Sequence, residues 1–272
     1  MRFSAVLIFV CCASVAAAGP TDRKSPSAKA SVKVAAKKKK KAKTRKPARK
    51  QHQRADLGTY ERPPDYASAP AYRYSTMTAD ACYAELAARK LPAHKEAVTK
   101  GVLAPVRLTG ELHGVTFRTN LKDAQRATTP WEIADCRLVL ALDDFSQVLE
   151  AHGIVDVRHY SMYRSPGASW PEGDIGKRHN GALAIDAARF IRKDGTYVDV
   201  DKHFNGAIGA KACGDGAGPH PATADAIELR AILCETVAKR IFNFHLTPNY
   251  NRPHKNHFHL EVTAGFKAFT VQ

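Results

Sequence analysis

A block of like charge decides how much of this chain can fold. Residues 21–54 carry fifteen lysines and arginines against a single acid, Asp22, with Lys37-Lys38-Lys39-Lys40-Lys41 at their centre and no aromatic residue. Such a segment cannot bury enough apolar surface to offset the entropy of ordering it, so it is expected to be disordered. Together with Arg2 it accounts for fifteen of the sixteen net positive charges, which leaves residues 55–272 nearly neutral. Basic blocks of this length act as interaction tails or solvated spacers. For residues 29–54 the expected partner is an anionic surface polymer. No nucleic-acid-reading motif accompanies the charge, which speaks against specific DNA recognition.

The first eighteen residues read as an export signal. Met1-Arg2 precede the apolar run Phe3–Val10, and Ala16-Ala17-Ala18 supply small residues for cleavage. The apolar run is too short to span a bilayer, and no other stretch comes close, so no transmembrane segment is expected. Neither Cys11 nor Cys12 follows the small residue that a lipid anchor needs. The organisation expected is therefore residues 1–18 as signal peptide, 19–75 as basic tail and linker, and 76–272 as one folded domain. The compartment would be the bacterial periplasm or the cell exterior.

After the signal, four cysteines remain: Cys82, Cys136, Cys213 and Cys234. An even count outside the cytosol suggests two disulfides, for which three pairings exist. Cys82–Cys136, which would join two predicted helices, with Cys213–Cys234, is the favoured one. Cys-x-x-Cys spacing is absent, so a thiolate metal site is not expected.

Thr78 is a good N-cap for a helix beginning at Ala79. Val106–Thr119 reads as extended pieces broken by glycines. Cys136–His152 has apolar residues at Leu138, Leu142, Phe145, Val148 and Leu149, a helical period, and stops at Gly153. Ile154–Arg164 alternates like a strand. Asp194-Gly195 between two apolar runs predicts a hairpin, and a second helix is expected over Ala222–Ile241. The last strand is predicted at His257–Val262. Helices and strands mix without a regular repeat, so the fold class is α+β: a central antiparallel sheet flanked by helices.

Two segments carry chemistry. In His179-Asn-Gly-Ala-Leu-Ala-Ile-Asp186, a strand would put Ala182, Ala184 and Asp186 on one face and Leu183 and Ile185 on the core face. In His257-Phe-His259-Leu-Glu261-Val262, alternation puts three ionisable groups on one face and three apolar ones on the other. Imidazole and carboxylate ligands suit zinc, and a catalytic zinc takes three protein ligands. His179, Asp186 and His259 would be those three. Elsewhere, His159 and His203 read as surface or hydrogen-bonded core, Trp131 and Trp170 as core or substrate platforms, and Pro166–Lys177 as a mobile loop over the site.

The His179-x6-Asp186 pair with the distant His257-x-His259 resembles the signature of the zinc peptidases typified by lysostaphin, the D-alanyl-D-alanine metallopeptidases and the hedgehog signalling domain. Within that group, Cys82–Val262 is most similar to the extensin-like C-terminal domain family. Tyr163-Arg164-Ser165, the His179–Asp186 segment, Asn251-Arg-Pro-His254 and His257-Phe-His259-Leu-Glu261 carry the resemblance. It implies that His179, Asp186 and His259 hold zinc, that Arg164 faces substrate, and that His257 assists catalysis. The activity implied is hydrolysis of a peptide bond in peptidoglycan by water that the zinc activates. One position departs from the pattern. Many relatives carry Asp or Glu three residues before the last ligand, where Asn256 stands, and an amide cannot take a proton from water near neutral pH. His257 or Glu261 would then serve as base, or the domain would bind zinc and cell-wall peptide without cutting it.

Overall fold

The computed structural model describes residues 59–272. The signal expected at residues 1–18 and the tail as far as residue 58 lie outside the described residues. Local chemistry starts the helices where the sequence says it should. The hydroxyl of Thr78 accepts the amide of Ala81, and helix α2 runs Ala79–Ala88. Asp135 caps the sixteen-residue helix over Cys136–Ala151 (α4 below) by accepting the amide of Arg137. That helix ends before Gly153, whose φ of 70° is the left-handed conformation that glycine adopts without steric cost.

In chain order the elements are β1 (Thr59–Glu61), α1 (Pro70–Ser75), α2, β2 (Ala93–Lys95), β3 (Pro105–Leu108), β4 (Thr116–Arg118), α3 (Asp123–Arg126), β5 (Ile133–Asp135) and α4. They continue with β6 (Ile154–His159), β7 (Ala184–Arg192), β8 (Tyr197–Asp199), α5 (Val200–His203), α6 (Ala224–Ala238), β9 (Phe244–Leu246), β10 (Phe258–Glu261) and β11 (Phe269–Val271). The main sheet has the order β1-β11-β9-β10-β7-β6-β4, with β8 also paired to β7, and β2-β3-β5 form a second, smaller sheet. Helix α4 packs against β6 and against α1, α2 and α6. Its Phe145 meets Phe190 and Phe242 edge-on at the centre of the core. A fully buried side chain of that size contributes roughly 1.5–3 kcal/mol.

The α+β class and the hairpin at Gly195 agree with the sequence reading, and two expectations are corrected. The sheet is mixed rather than antiparallel: β4 runs parallel to β6, and β11 parallel to β9. Order also begins before residue 76. β1 pairs with β11 at the sheet edge, and α1 buries Tyr74, whose hydroxyl donates to Asp144 at 2.6 Å. The Pro- and Tyr-rich stretch read as linker is docked chain, and Pro70 opens a helix at a position that needs no amide donor. β11 likewise follows the strand predicted to be last.

Both disulfides follow the favoured pairing. Cys82–Cys136 joins α2 to the start of α4, and Cys213–Cys234 ties the loop after α5 to α6. Among the described residues no helix is long and apolar enough to cross a membrane.

Candidate metal centre

The register between β7 and β10 builds the site. His259 stands directly opposite Asp186, and Glu261 opposite Ala184, while Leu260 and Phe258 pair with Ile185 and Ala187 on the core face. Residues paired across an antiparallel ladder point the same way. Burial of the four apolar side chains therefore fixes the polar ones on the other face, and the small Ala184 leaves room there. His179 arrives from the 3-10 turn Arg178–Gly181 just before β7. Arg178, which opens that turn, and Ala182, which follows it, have φ near 50°. Gly181 is required by close approach: a Cβ there would lie 2.3 Å from the carbonyl oxygen of Gly176.

Three ligand atoms converge. His179 Nε2 and His259 Nδ1 each lie 3.0 Å from Asp186 Oδ1 and 3.2 Å from one another. All three residues are buried, and among the described residues they form the group able to hold a metal ion. Their outer contacts fix which nitrogens carry protons. His179 Nδ1 faces the carbonyl oxygen of Met162 at 3.1 Å, and His259 Nε2 faces Glu261 Oε2 at 3.1 Å. Neither oxygen can donate, so each outer nitrogen holds the N–H and each inner one presents a lone pair. Two nitrogen lone pairs and a carboxylate oxygen thus crowd one point, an arrangement that a cation relieves. Ligands about 2.0–2.1 Å from a tetrahedral ion sit about 3.3 Å apart, so the spacing fits.

Around this core the contacts are asymmetric. Glu261 lies on the outer side of His259 and also meets the Thr263 hydroxyl and Arg178 Nε. Arg164 contacts Asp186 Oδ2 while its side chain remains 54 % exposed, and its Nε donates to Ser161 Oγ at 2.9 Å. His257 Nε2 is 3.3 Å from Asp186 Oδ1, and its Nδ1 faces Asn256 Oδ1 at 2.9 Å. The ring of Tyr160 meets that of His257 edge-on. His254, half-buried nearby, is held by Asn251 Oδ1 at 2.7 Å.

These contacts set the protonation states. Burial pushes Asp186 up, but the imidazoles of His179, His257 and His259 against it, which can each take up a proton on the nitrogen that faces it in the metal-free site, outweigh burial and hold the carboxyl well below the usual range. Burial pulls His259 down, yet the carboxylates of Asp186 and Glu261 leave it raised overall. Burial, reinforced by the charges of His257 and His259, pushes His254 down to about 4.

The structure thus brings together the six residues expected at the site. His179, Asp186 and His259 converge, His257 and Arg164 flank Asp186, and Glu261 stands behind His259. His159 is core, pushed down to about 4 by burial, and His203 Nδ1 accepts the amide of Asp199. Trp131 is 46 % exposed, and the indole N–H of Trp170 donates to the Asp174 carbonyl. Sequence reasoning missed the Met162 carbonyl, which sets the His179 tautomer, and Ser161, which steadies Arg164. A backbone carbonyl leaves no trace in residue identity. The alternation that predicted Ile154–Arg164 as strand did at least bring the chain to this point.

The family model described as "Extensin-like protein C-terminus" matches residues 80–270, which span every residue of this site. No curated protein and no solved structure matches the chain.

Proposed function

This chain belongs to the extensin-like protein C-terminus family, and from that premise we propose that it is an exported zinc-dependent peptidase or amidase acting on the peptides of peptidoglycan. The observation that carries the reading is the convergence of His179 Nε2, His259 Nδ1 and Asp186 Oδ1, with both outer imidazole protons tied off by oxygen acceptors. Two imidazoles and one carboxylate are a donor set that zinc favours over magnesium or calcium. Zinc, when bound, supplies a Lewis acid that polarises a carbonyl and acidifies water.

The chain's own residues supply the rest. His257 donates its Nδ1 proton to Asn256 Oδ1, which leaves a lone pair on Nε2 beside Asp186. It can therefore take a proton at Nε2, the task that an amide at position 256 cannot perform. Asn256 then orients the base instead of being it. The half-exposed Arg164 guanidinium puts positive charge where a carbonyl oxygen gains negative charge. Glu261 holds His259 rather than acting on substrate, because its oxygens already face His259, Thr263 and Arg178. The two disulfides fit an exported protein.

A second reading has one observation in its favour. Asn256 in place of a carboxylate suits a zinc-containing module that binds wall peptide or anionic polymer without cutting it. Digestion of purified sacculi separates the two: the peptidase reading expects soluble fragments from the zinc-loaded protein and none from His257→Ala. Retention on sacculi without release of fragments by the wild type, beside an active control hydrolase, supports the binding module.

A further inference from the structure

Along one edge of β7, β10 pairs with Ala184–Ala187 and β8 with Arg189–Ile191. The end of β8 and the start of β10 therefore approach one another at Ala188, where α5 follows β8 directly. Phe204, just past α5, packs its ring on Phe258 at 5.5 Å. A groove of about 470 Å³ opens here, lined by the apolar Phe204 and Ile208 and by the polar Asn205, His220, Asp201 and Lys255. Ile208 is 64 % exposed. Asp201 Oδ1 and Lys255 Nζ stand 3.6 Å apart with side chains 48 % and 63 % exposed, and Lys255 is two residues from His257.

The wall of this groove is firmly built. Cys213–Cys234 anchors its loop to α6. Asn249 Nδ2 donates to the carbonyls of Ala210 and Lys211, and Arg230 Nη1 to that of Ala212. The His220 amide closes the loop on the Asn205 carbonyl at 2.8 Å. Against that rigid wall the Asp201–Lys255 pair is loose and wet, and exposed pairs of this kind add little to stability. A ligand can separate them at small cost. One anion and one cation above an apolar lining match a side chain that ends in both an ammonium and a carboxylate.

We infer that this groove is a specificity pocket for such a zwitterionic amino-acid side chain, its ammonium on Asp201 and its carboxylate on Lys255. The inference rests on the peptidoglycan-peptide reading above and adds which peptides the site prefers. Two probes test it on the zinc-loaded protein: a stem peptide containing diaminopimelate with its distal amine and carboxylate free, and the same peptide with lysine, which keeps the amine and lacks that carboxylate. Calorimetry on the wild type, Lys255→Met and Asp201→Asn reads the affinities, with circular dichroism to confirm folding. The wild type is expected to favour the diaminopimelate peptide about tenfold, as one charge-assisted contact implies. Lys255→Met removes that preference without weakening the lysine peptide, and Asp201→Asn weakens both. Equal wild-type affinities, or a preference that survives Lys255→Met, overturn the groove assignment alone if the protein still digests sacculi. Failure to bind either peptide, together with failure to bind or digest sacculi, overturns the peptidoglycan reading and this inference with it.

Discussion

His259 donates its Nε2 proton to Glu261 Oε2 across 3.1 Å, from two residues earlier on the same strand face. The contact turns the lone pair on Nδ1 inward, toward Asp186 and His179. Outer carboxylates of this kind raise ligand basicity, and losing one costs 10–100-fold in metal affinity. Glu261→Gln keeps the shape and removes the charge. It is expected to weaken zinc binding about tenfold in a chelator competition while the circular dichroism spectrum stays unchanged; an unaltered affinity would refute the role.

Proton release follows from the same pair. His259 is raised above the ordinary histidine value in the metal-free protein, so near neutral pH part of the population carries a proton on a nitrogen that the metal needs. Metal binding displaces it, and apparent affinity therefore falls as pH falls. Zinc titrations in buffers of different ionisation enthalpy should show protons released at pH 6.5, and the affinity should drop between pH 7.5 and 5.5. A pH-independent affinity over that range contradicts this.

Stability should carry its own acid dependence, away from the metal. Burial pushes His245 down to about 4, against about 6.5 in an unfolded chain. Between those values the unfolded state binds more protons than the folded one, so stability rises with pH across the window and is lost on acidification. The contribution at pH 7 is roughly 3 kcal/mol at 1.36 kcal/mol per unit. Urea midpoints measured from pH 7 to pH 4.5 should fall less steeply in His245→Leu than in the wild type. Parallel curves would show that His245 does not set the slope.

The disulfides should differ in what their loss costs. Cys82–Cys136 closes a sequence separation of 54 residues and Cys213–Cys234 one of 21. Chain-entropy scaling gives about 4 and about 3 kcal/mol respectively. Paired Cys→Ser variants in thermal unfolding should rank in that order. The reverse ranking would mean that the loop behind the groove, not the α2–α4 tie, holds the fold together.

Much of the site was legible because strand alternation is a strong constraint. Phe258, Leu260 and Val262 had to face the core, so His257, His259 and Glu261 had to face away, and Ile185 did the same for Asp186. Helix α4 was legible from its apolar period and its stop at Gly153. β1, β9 and β11 were not. Strands of three residues show no period, and the pairing of Thr59 with Val271 joins opposite ends of the described chain. Alternation puts Glu261 on the right face, but only the folded geometry sets it behind His259 rather than in front of it. Arg164 reads as a substrate contact from its motif, and the structure adds its grip on Asp186.

The most direct test of the metal centre is the zinc content of the folded protein after mild chelation and reloading, wild type beside His259→Ala. The account predicts about one zinc per chain in the wild type and none retained by the variant. A wild type that takes up no zinc, or a variant that keeps it, would contradict the assignment of His179, Asp186 and His259 as its ligands.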